Sequence, residues 1–547
     1  MSEWFEKQKL GDLPALAARR WGEREALYFK GRRWTYQQFD AEVDRVARGL
    51  IAIGVKPNEH VALWMVNQPE WLFLMYATAK IGAVLVPLNT RYRTTDVAYT
   101  VKQSESATWI SMASSGPINY LAMLRENLPD ISGQDKANLD YDEFPALRRV
   151  VLFGTEPEPG MLAWDQLLNA GDKVTETLLN ARAEAVDADD TVIICYTSGT
   201  TGHPKGVMHS HIIIRNQIDR INRFGITFQD VIINNLPMFH LYDYSESALT
   251  AMLSGARQVM MESFDADKTL NLIEAERATI IHGFDTHYKD LFDCQIRAER
   301  DVSSLRLCTF PSGMESSIAI SRQTQTAFAP TISGWGMTET WTFAASSFTD
   351  STYEQRTEAS GFPMPGFEYR VIDPTTGEDM PIGKQGELLV RSYTITKGYY
   401  NKPEETAKAI DDSGWFHTGD TALIRADGHL RFIGRFKDML KVGGENVSPA
   451  EVEAYLLQMP EIDQAAVVGY PDARLAEVPA AYIVPAEGMN ANIDAVKAHC
   501  IGKIASYKIP RHIFTVANLP MTPTGKVQKH KLRAEEFCLP RMGQSLH

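Results

Sequence analysis

A glycine- and hydroxyl-rich segment with one lysine, Tyr196 to Gly206, contains the residue types that point most directly to chemistry. Glycines let the backbone approach a ligand closely, so amide and hydroxyl groups can converge on phosphate oxygens. The spacing differs from the GxxxxGK[ST] loop of kinases and GTPases, because a glycine follows the lysine. The alternative is an ordinary surface turn. The candidate phosphate-binding residues are Thr197, Ser198, Gly199, Thr200, Thr201, Gly202 and Lys205.

Further short segments combine glycines, acids, aromatics and lysines in a set order along the chain. They are Pro237 to His240, Gly334 to Thr340, Gly386 to Leu388, Trp415 to Asp420, Gly434 to Asp438 and Pro523 to Lys526. Together with the phosphate loop, they resemble the motifs of the adenylate-forming superfamily, which contains acyl-CoA synthetases, peptide-synthetase adenylation domains and luciferases. The resemblance runs nearly from end to end. One such match would be a weak signal, whereas the ordered set is specific.

The resemblance implies a reaction in two steps. A carboxylate attacks the α-phosphate of ATP to form an acyl-adenylate, and the thiol of coenzyme A then displaces AMP. The first step brings an anion towards a polyanion, so Lys205, the loop amides and Mg²⁺ would offset the repulsion. Since Mg²⁺ prefers oxygen ligands and takes few of them from a protein, Glu339 and Thr200 or Thr201 are its implied ligands. The alternative for Glu339 is a solvated charge after a turn.

The same resemblance implies how the nucleotide is held. Asp420 would accept hydrogen bonds from the ribose hydroxyls, and Arg435 would contact the ribose or the phosphates. Trp335 stands where the family commonly has tyrosine, and its face could stack on adenine. The alternative for Trp335 is a core aromatic residue. The resemblance also implies that the neighbouring residues Gly336, Met337 and Thr338 bind the nucleotide.

A lysine near the C-terminus is implied in catalysis. Lys526 lies in a proline-bracketed loop, and its counterpart in the family bridges the substrate carboxylate and the α-phosphate. The alternative is a basic tail, since other cations surround it. The group that covers the α-phosphate would obstruct the thiol, so the resemblance implies a domain rotation about Lys437. Gly443 and Gly444 would then line the pantetheine channel, although hinge glycines are also ordinary turn residues.

Bulk properties fit a large soluble enzyme. The chain has 547 residues and a net charge of -14, which argues against a nucleic-acid-binding surface. Five scattered cysteines give no disulfide framework or metal-ligand spacing, so a reducing cytoplasm is expected. No signal peptide is evident. The apolar stretch from Trp71 to Leu88 is interrupted by Lys80 and Gly82, which predicts a buried helix leading into a strand and no membrane span.

Short apolar β-branched runs alternate with longer amphipathic segments, which predicts an α/β fold. Residues 41–53 carry one apolar stripe typical of a helix packed on a sheet. The turn sequence from Asp373 to Glu378 precedes a more antiparallel part. The length exceeds what one core usually supports. We expect a large N-terminal domain, residues 1–434, of α/β subdomains with a β-rich part, and a small mobile α+β C-terminal domain, residues 435–547.

Acidic residues stand out in the segments that line the acyl site of relatives, beside Ser312, Gly313 and Met314. Because an unpaired buried charge costs several kcal/mol, they predict a short polar or cationic acid, such as a betaine-like or sulfonium acid. The alternative is that they pair with Arg215, Arg220 or Lys289, or face solvent. His240 would gate the site or orient the carboxylate, or it is a core histidine. The acidic residues concerned are Asp243, Glu246, Asp285 and Glu315.

The sequence thus predicts an AMP-forming acyl-CoA synthetase whose partners are ATP, coenzyme A, Mg²⁺ and a small carboxylic acid, with a homodimer as the assembly to test. The alternatives are an enzyme that loads a carrier protein, a medium- or long-chain fatty acyl-CoA synthetase, and luciferase-like oxidation. No carrier domain is expected after residue 547. A catalytically silent nucleotide-binding protein would have lost Lys526, Glu339 or Lys205, and all three are present.

Overall fold

The structure is a computed structural model, and it describes residues 6–154, 157–197, 204–435, 438–442, 445–472, 475–501, 504, 506–521 and 527–533. Mixed helices and strands fill these ranges, and the predicted α/β class is confirmed. The helices are α1 (Leu13–Trp21), α2 (Tyr36–Ala52), α3 (Pro69–Lys80), α4 (Thr94–Gln103), α5 (Tyr120–Asn127), α6 (Trp164–Gly171), α7 (Glu176–Glu184), α8 (Ile213–Phe224), α9 (Leu241–Asp243), α10 (Thr250–Ser254), α11 (Ala266–Glu276), α12 (Asp285–Arg297), α13 (Glu315–Ala327), α14 (Tyr353–Glu358), α15 (Pro403–Ala409), α16 (Pro449–Leu456), α17 (Ile493–Cys500) and α18 (Lys529–Leu532).

Strands account for most of the remaining regular structure. They are β1 (Glu25–Phe29), β2 (Arg32–Thr35), β3 (His60–Trp64), β4 (Val84–Pro87), β5 (Thr108–Met112), β6 (Ser114–Ser115), β7 (Ile118–Asn119), β8 (Arg149–Phe153), β9 (Leu162–Ala163), β10 (Thr191–Thr197), β11 (Lys205–Ser210), β12 (Val231–Asn234), β13 (Arg257–Met260), β14 (Ile280–His282), β15 (Leu307–Thr309), β16 (Thr331–Ile332), β17 (Gly334–Met337), β18 (Thr342–Ser346), β19 (Phe362–Pro363), β20 (Phe367–Ile372), β21 (Gly386–Ser392), β22 (Phe416–Ile424), β23 (Leu430–Arg435), β24 (Leu440–Val442), β25 (Glu445–Val447), β26 (Ile462–Asp472), β27 (Ala476–Pro485) and β28 (His512–Thr515).

Two seven-stranded sheets form the body of the protein. The first has the order β11-β10-β4-β3-β5-β8-β9, and the second has the order β16-β15-β14-β12-β13-β1-β2. Each is parallel except at one edge, where β10 pairs antiparallel with β11 and β1 with β2. The largest hydrophobic core contains residues of α2, α3 and the first sheet. Two predicted elements are confirmed: α2 buries Val43, Val46 and Leu50, and α3 leads into β4.

The β-rich part consists of two smaller antiparallel sheets. Strands β17, β18 and β19 form one, and β20 to β23 form the other in sequence order. The predicted turn after β20 is confirmed, because the Gly377 backbone N–H donates to the Asp373 carbonyl at 2.8 Å. These two sheets hold most of the described residues that the sequence implicated in nucleotide binding.

A separate sheet follows towards the C-terminus, with the order β25-β24-β27-β26 and with β28 added in parallel to β27. It has its own hydrophobic core, together with α16 and α17. Arg435 still pairs with β22 as the last residue of β23. The domain bounds 1–434 and 435–547 remain a prediction. Within the described ranges, none of the helices has the length and apolar character needed to cross a bilayer.

The second sheet explains why the acyl-site segments come together. Its parallel strands β12, β14 and β15 are neighbours and end at Asn234, His282 and Thr309. Ligands of open α/β sheets bind in the crevice outside such carboxyl ends. The segments that contain His240, Asp285 and Ser312 follow these strand ends directly, so they start at one edge.

Candidate active site

A buried carboxylate joins the two antiparallel sheets. Asp420, on β22, is 3% exposed, and its Oδ2 accepts a hydrogen bond at 2.9 Å from the indole Nε1–H of Trp335 on β17. Its Oδ1 lies 2.9 Å from Nη1 of Arg435, the residue paired with it on β23. Arg435 also donates to the Thr418 carbonyl at 3.1 Å. The structure therefore brings together three of the predicted nucleotide-binding residues.

The strand that contains Trp335 can approach its neighbour only through glycine. A Cβ on Gly336 would lie 1.5 Å from the Thr342 carbonyl oxygen on β18. The backbone N–H of Met337 donates to the Thr340 hydroxyl at 3.1 Å, and the Thr338 carbonyl accepts a 2.7 Å hydrogen bond from His209. These contacts fix the turn that presents Glu339.

Glu339 is a second buried carboxylate, 6% exposed, and its Oε1 accepts a 3.0 Å hydrogen bond from the Tyr399 hydroxyl. Burial raises the pKa of the Glu339 carboxyl, and the negative charge of Asp420 raises it further. A hydrogen bond to the backbone of Glu339, the hydrogen bond from Tyr399 and the positive charge of Arg435 act in the opposite direction. An ionised carboxylate in this position gains stability from an added cation. The geometry and donor type therefore fit the predicted Mg²⁺ site on the Glu339 side.

Lys205 lies at the start of β11, paired in register with Thr197 at the end of β10. Its ammonium lies 2.6 Å from Glu405 Oε2 and 4.8 Å from the centre of the Tyr399 ring. The hydrogen bond from Lys205, with a smaller contribution from that of Lys408, lowers the pKa of Glu405 to about 2. Lys205 and Glu339 thus contact the same tyrosine, which places the loop lysine beside the candidate metal ligand.

Several predicted site residues lie outside the described residues, so their predicted roles rest on sequence. They are Ser198, Gly199, Thr200, Thr201, Gly202, Lys437, Gly443, Gly444 and Lys526.

Glu246 lies in a fully buried ion pair. Its Oε1 is 2.6 Å from Nη1 of Arg220, and the two side chains are 1% and 0% exposed. Ser245 and Thr342 donate to Glu246 Oε1 at 3.1 and 3.2 Å. Gln217 accepts from the Arg220 guanidinium at 2.5 Å. This is the pairing with Arg220 given above as the alternative, and it compensates the Glu246 charge within the protein.

The other predicted acids have different surroundings. Asp243 is completely buried, accepts a 2.6 Å hydrogen bond from Ser247, and has its pKa raised well above the usual range by burial. Asp285 is exposed at the start of α12 and accepts from the Thr286 backbone N–H. Lys289 pairs with Asp463 at 2.5 Å. Glu315 begins α13, and its side chain lies outside the described residues.

The remaining acyl-site residues line the loops at the strand ends. His240 precedes α9, and its ring centre lies 4.4 Å from that of Phe239. Ser312 is buried and donates to the Ala359 carbonyl at 3.2 Å, and Met314 is half-buried. Gly313 has φ +115, and a Cβ there would lie 1.9 Å from the Ser360 hydroxyl oxygen, so this position requires glycine.

An aromatic cluster stands beside these residues. Tyr242, on α9, shares a 2.6 Å hydrogen bond with the Thr309 hydroxyl. Its ring centre lies 5.1 Å from Phe284, 5.5 Å from Phe343 and 6.1 Å from His282. The sequence interpretation did not include this cluster. Aromatic rings therefore pack together among the described residues at the carboxyl-terminal edge of the second sheet.

Replacing Glu246 with alanine is expected to destabilise the protein by about 3–5 kcal/mol, because Arg220 would be left as an uncompensated buried charge. The measurement is thermal unfolding by calorimetry. Asp379→Ala is the control, because it breaks an exposed pair with Arg370 and should leave the melting temperature nearly unchanged. Equal melting temperatures for the two variants would contradict the structural role of the buried pair.

The sequence interpretation missed two residues of the site, Tyr399 and Glu405. They lie between the recognised motifs, Tyr399 just before α15 and Glu405 within it. The sequence feature that could have drawn attention to them is a pair of tyrosines followed by Pro403, the first residue of α15, and two glutamates. This segment has no phosphate-binding pattern of its own. Only the contacts with Glu339 and Lys205 show their relevance.

Comparison with known proteins gives the same family along the chain. The model of the AMP-binding enzyme family matches residues 15–400, and that of the AMP-binding enzyme C-terminal domain matches residues 451–526. The medium-chain acyl-CoA ligase ACSF2, mitochondrial, of Danio rerio is 32% identical over 94% of this chain and 86% of its own length. A propanoyl:CoA ligase of Rhodococcus jostii (strain RHA1), named for a bicyclic dioxo-octahydroindenyl substrate, is 34% identical over 95% of this chain and 97% of its own.

A solved structure extends the likeness to three dimensions. The anthranilate CoA ligase AuaEII, in complex with anthranoyl-AMP, superposes with a TM-score of 0.86 at 27% identity, covering 98% of this chain and 99% of that chain.

Proposed function

The chain belongs to the AMP-binding enzyme family, and we propose the roles of its residues and the class of its acid as follows. The protein is an acyl-CoA synthetase of the adenylate-forming superfamily, as the sequence predicted. It ligates a carboxylic acid to coenzyme A, with ATP as co-substrate, through an acyl-adenylate. The observation that best supports the proposed roles is the buried pair of carboxylates, Asp420 and Glu339, next to Trp335, Arg435 and Lys205.

In the proposed nucleotide site, Asp420 accepts the two ribose hydroxyls. A carboxylate binds hydroxyl donors more strongly than a neutral acceptor does, and burial removes competing water. Arg435 holds the Asp420 carboxylate in its strand ladder and offers positive charge towards the phosphates. Gly336, Met337 and Thr338 form the backbone against which the adenine lies.

The proposed phosphate site uses Lys205 and the preceding loop, Thr197 to Gly202. Glu339, with Thr200, would hold Mg²⁺, which supplies positive charge to the phosphate oxygens when bound. Lys205 is positioned by Glu405 and Tyr399, so its ammonium is already oriented when ATP arrives. Lys526 would bring the acid carboxylate and the α-phosphate together, and His240 would orient that carboxylate.

The second step is proposed to follow a rotation of the C-terminal domain about Lys437, which would bring Gly443 and Gly444 to the pantetheine arm of coenzyme A. Cytoplasmic location and a homodimer also remain proposals. Light scattering on the purified protein would decide the assembly.

We propose that the acid is uncharged apart from its carboxylate and has an aromatic, carbocyclic or medium-length apolar part. The Glu246 charge is compensated by Arg220, and the burial that raises the pKa of Asp243 disfavours its charged form, so neither supports binding of a cationic acid. The aromatic cluster around Tyr242 suits an apolar group. The relatives are named for medium-chain, bicyclic and aromatic acids. The predicted short polar or cationic acid remains the competing proposal.

A panel of fatty, aromatic, short and cationic acids in a pyrophosphate-release assay tests the acid class. We expect the highest kcat/KM for a member of the apolar classes, with AMP formation that requires coenzyme A. A betaine-like or sulfonium acid as the best substrate would contradict the proposed class and restore the earlier prediction. AMP release with acyl transfer to a carrier-protein thiol, but not to coenzyme A, would instead support the carrier-loading alternative.

Replacing Asp243 with asparagine is expected to leave the ratio of kcat/KM for a cationic acid to that for its neutral isostere unchanged. The reason is that Asp243 is completely buried, where its charged form is disfavoured, and asparagine has nearly the same shape. The ratio is measured with paired isosteric acids in the same assay, with Asp285→Asn as the exposed control. A selective loss of the cationic acid in Asp243→Asn would show that Asp243 recognises its charge.

A further inference from the structure

One hydrogen bond at the nucleotide site connects residues far apart in sequence. The indole N–H of Trp335 donates to Asp420 Oδ2 at 2.9 Å, and the two side chains are 5% and 3% exposed. We propose that Trp335 is a positioning residue that orients the Asp420 carboxylate, and that this orientation sets the preference of the enzyme for ribonucleotides over deoxyribonucleotides. The inference rests on the role proposed above for Asp420, and it assigns a function to the N–H edge of an indole that is buried in the core.

The carboxylate is held from two directions. Trp335 donates to Oδ2, while Arg435 Nη1 lies 2.9 Å from Oδ1. An ionised carboxylate can accept about four hydrogen bonds, so protein donors and ligand hydroxyls can share it. A hydrogen-bond donor at one oxygen and a guanidinium charge beside the other define the position of the group. A vicinal diol is a bidentate donor, and a carboxylate fixed in position suits such a ligand.

Both ends of this hydrogen bond lie on strands that cannot easily shift. On one side, Gly334 and Gly336 flank Trp335. A Cβ on Gly334 would lie 2.4 Å from the Phe343 ring, and a Cβ on Gly336 would lie 1.5 Å from the Thr342 carbonyl oxygen. On the other side, Asp420 pairs with Arg435 in the β22–β23 ladder, and its backbone N–H donates to the Thr418 hydroxyl at 3.0 Å.

Tryptophan suits this position because its indole N–H is only a donor and its ring system is rigid. Trp335 belongs to the hydrophobic cluster between the two small sheets, with the Tyr369 ring 6.3 Å away in an edge-on arrangement. A charge-assisted hydrogen bond in such a dry place is stronger than one at the surface. The indole therefore orients the carboxylate before the nucleotide binds.

The test compares ATP with 2′-deoxyATP and 3′-deoxyATP in Trp335→Phe. Phenylalanine keeps an aromatic ring and removes the donor, so the ratio of kcat/KM for ATP to that for either deoxynucleotide is expected to fall about tenfold. Tyr369→Phe is the matched control in the same cluster, because its buried hydroxyl has no hydrogen-bond partner among the described residues. That control should keep the wild-type ratio.

A double-mutant cycle separates positioning from general damage. If Trp335 acts through Asp420, Trp335→Phe should not lower the ratio further in an Asp420→Asn background. Trp335→Met, whose flexible apolar side chain also lacks an N–H or O–H donor, is the second variant if the phenylalanine variant does not fold, and a similar fall is expected. Circular dichroism and the melting temperature confirm folding of each variant.

The outcomes distinguish this inference from the proposed function. A wild-type ratio in a folded Trp335→Phe variant, together with a lost ratio in Asp420→Asn, would overturn only the role of Trp335. The role of Trp335 would also be overturned if Trp335→Phe lowered the ratio as much in the Asp420→Asn background as in the wild type. A fall of the same size in Tyr369→Phe would overturn it as well. A wild-type enzyme that uses both deoxynucleotides as well as ATP would overturn the ribose role of Asp420, and the positioning role with it.

Discussion

Replacing Lys526 with alanine is expected to abolish acyl-adenylate formation, with a loss of about 10²–10³-fold or more, while thioester formation from preformed acyl-AMP stays largely intact. The physical reason is that the first step joins two anions, and the lysine ammonium would offset their repulsion only there. In the second step the carboxylate and the α-phosphate are already joined in a mixed anhydride, so this repulsion no longer has to be offset. The two half-reactions are measured separately, as acid-dependent pyrophosphate release and as AMP release from supplied acyl-AMP and coenzyme A.

A neighbouring lysine provides the control. Lys531→Ala removes an exposed charge from the same basic segment and should leave both half-reactions near wild type. Equal losses in both half-reactions for Lys526→Ala would refute the adenylation role. Equal effects of the two substitutions would support the basic-tail alternative.

Replacing Glu339 with glutamine is expected to lower adenylation about 10²-fold and to raise the Mg²⁺ concentration needed for half-maximal rate. The amide keeps the shape and can still accept from Tyr399, but it removes the negative charge that would hold the metal. A rate titration with Mg²⁺ gives the requirement. Binding of Mn²⁺ in the presence of ATP, followed by electron paramagnetic resonance, gives a readout that does not depend on turnover.

Glu405→Gln is the matched control for this change. Glu405 lies in the same neighbourhood but pairs with Lys205 and Lys408, so its loss should leave the metal requirement unchanged. An unchanged Mg²⁺ requirement in Glu339→Gln would show that the metal is held elsewhere. Glu339 would then be a structural partner of Tyr399.

Much of the fold could be predicted because local patterns determine it. The interrupted apolar stretch gave α3 and β4, and the single apolar stripe gave α2, since both depend on spacing within a few residues. The order of motifs likewise identified the family and named Asp420, Arg435 and Trp335 as parts of one site.

The pairing of side chains could not be predicted in the same way. Trp335 and Asp420 are 85 positions apart and lie on different sheets, so no sequence spacing shows that the indole edge meets the carboxylate. Glu246 stood out as an acid in an apolar segment, and Arg220 was one of three cations named as partners. Choosing between a substrate and a buried ion pair requires the packing of α8 against the π-helical segment Tyr244–Leu249, which contains Glu246.

Transfer of an oxygen isotope tests most directly whether the acid is activated as an adenylate at this site. The best acid of the panel is labelled with ¹⁸O in its carboxylate, and the enzyme is given ATP and coenzyme A. If a carboxylate oxygen attacks the α-phosphate and the thiol then breaks the acyl C–O bond, AMP should contain one ¹⁸O atom and pyrophosphate none. Label in inorganic phosphate, with ADP as the nucleotide product, would contradict the adenylate and the roles proposed for Asp420, Glu339 and Lys526.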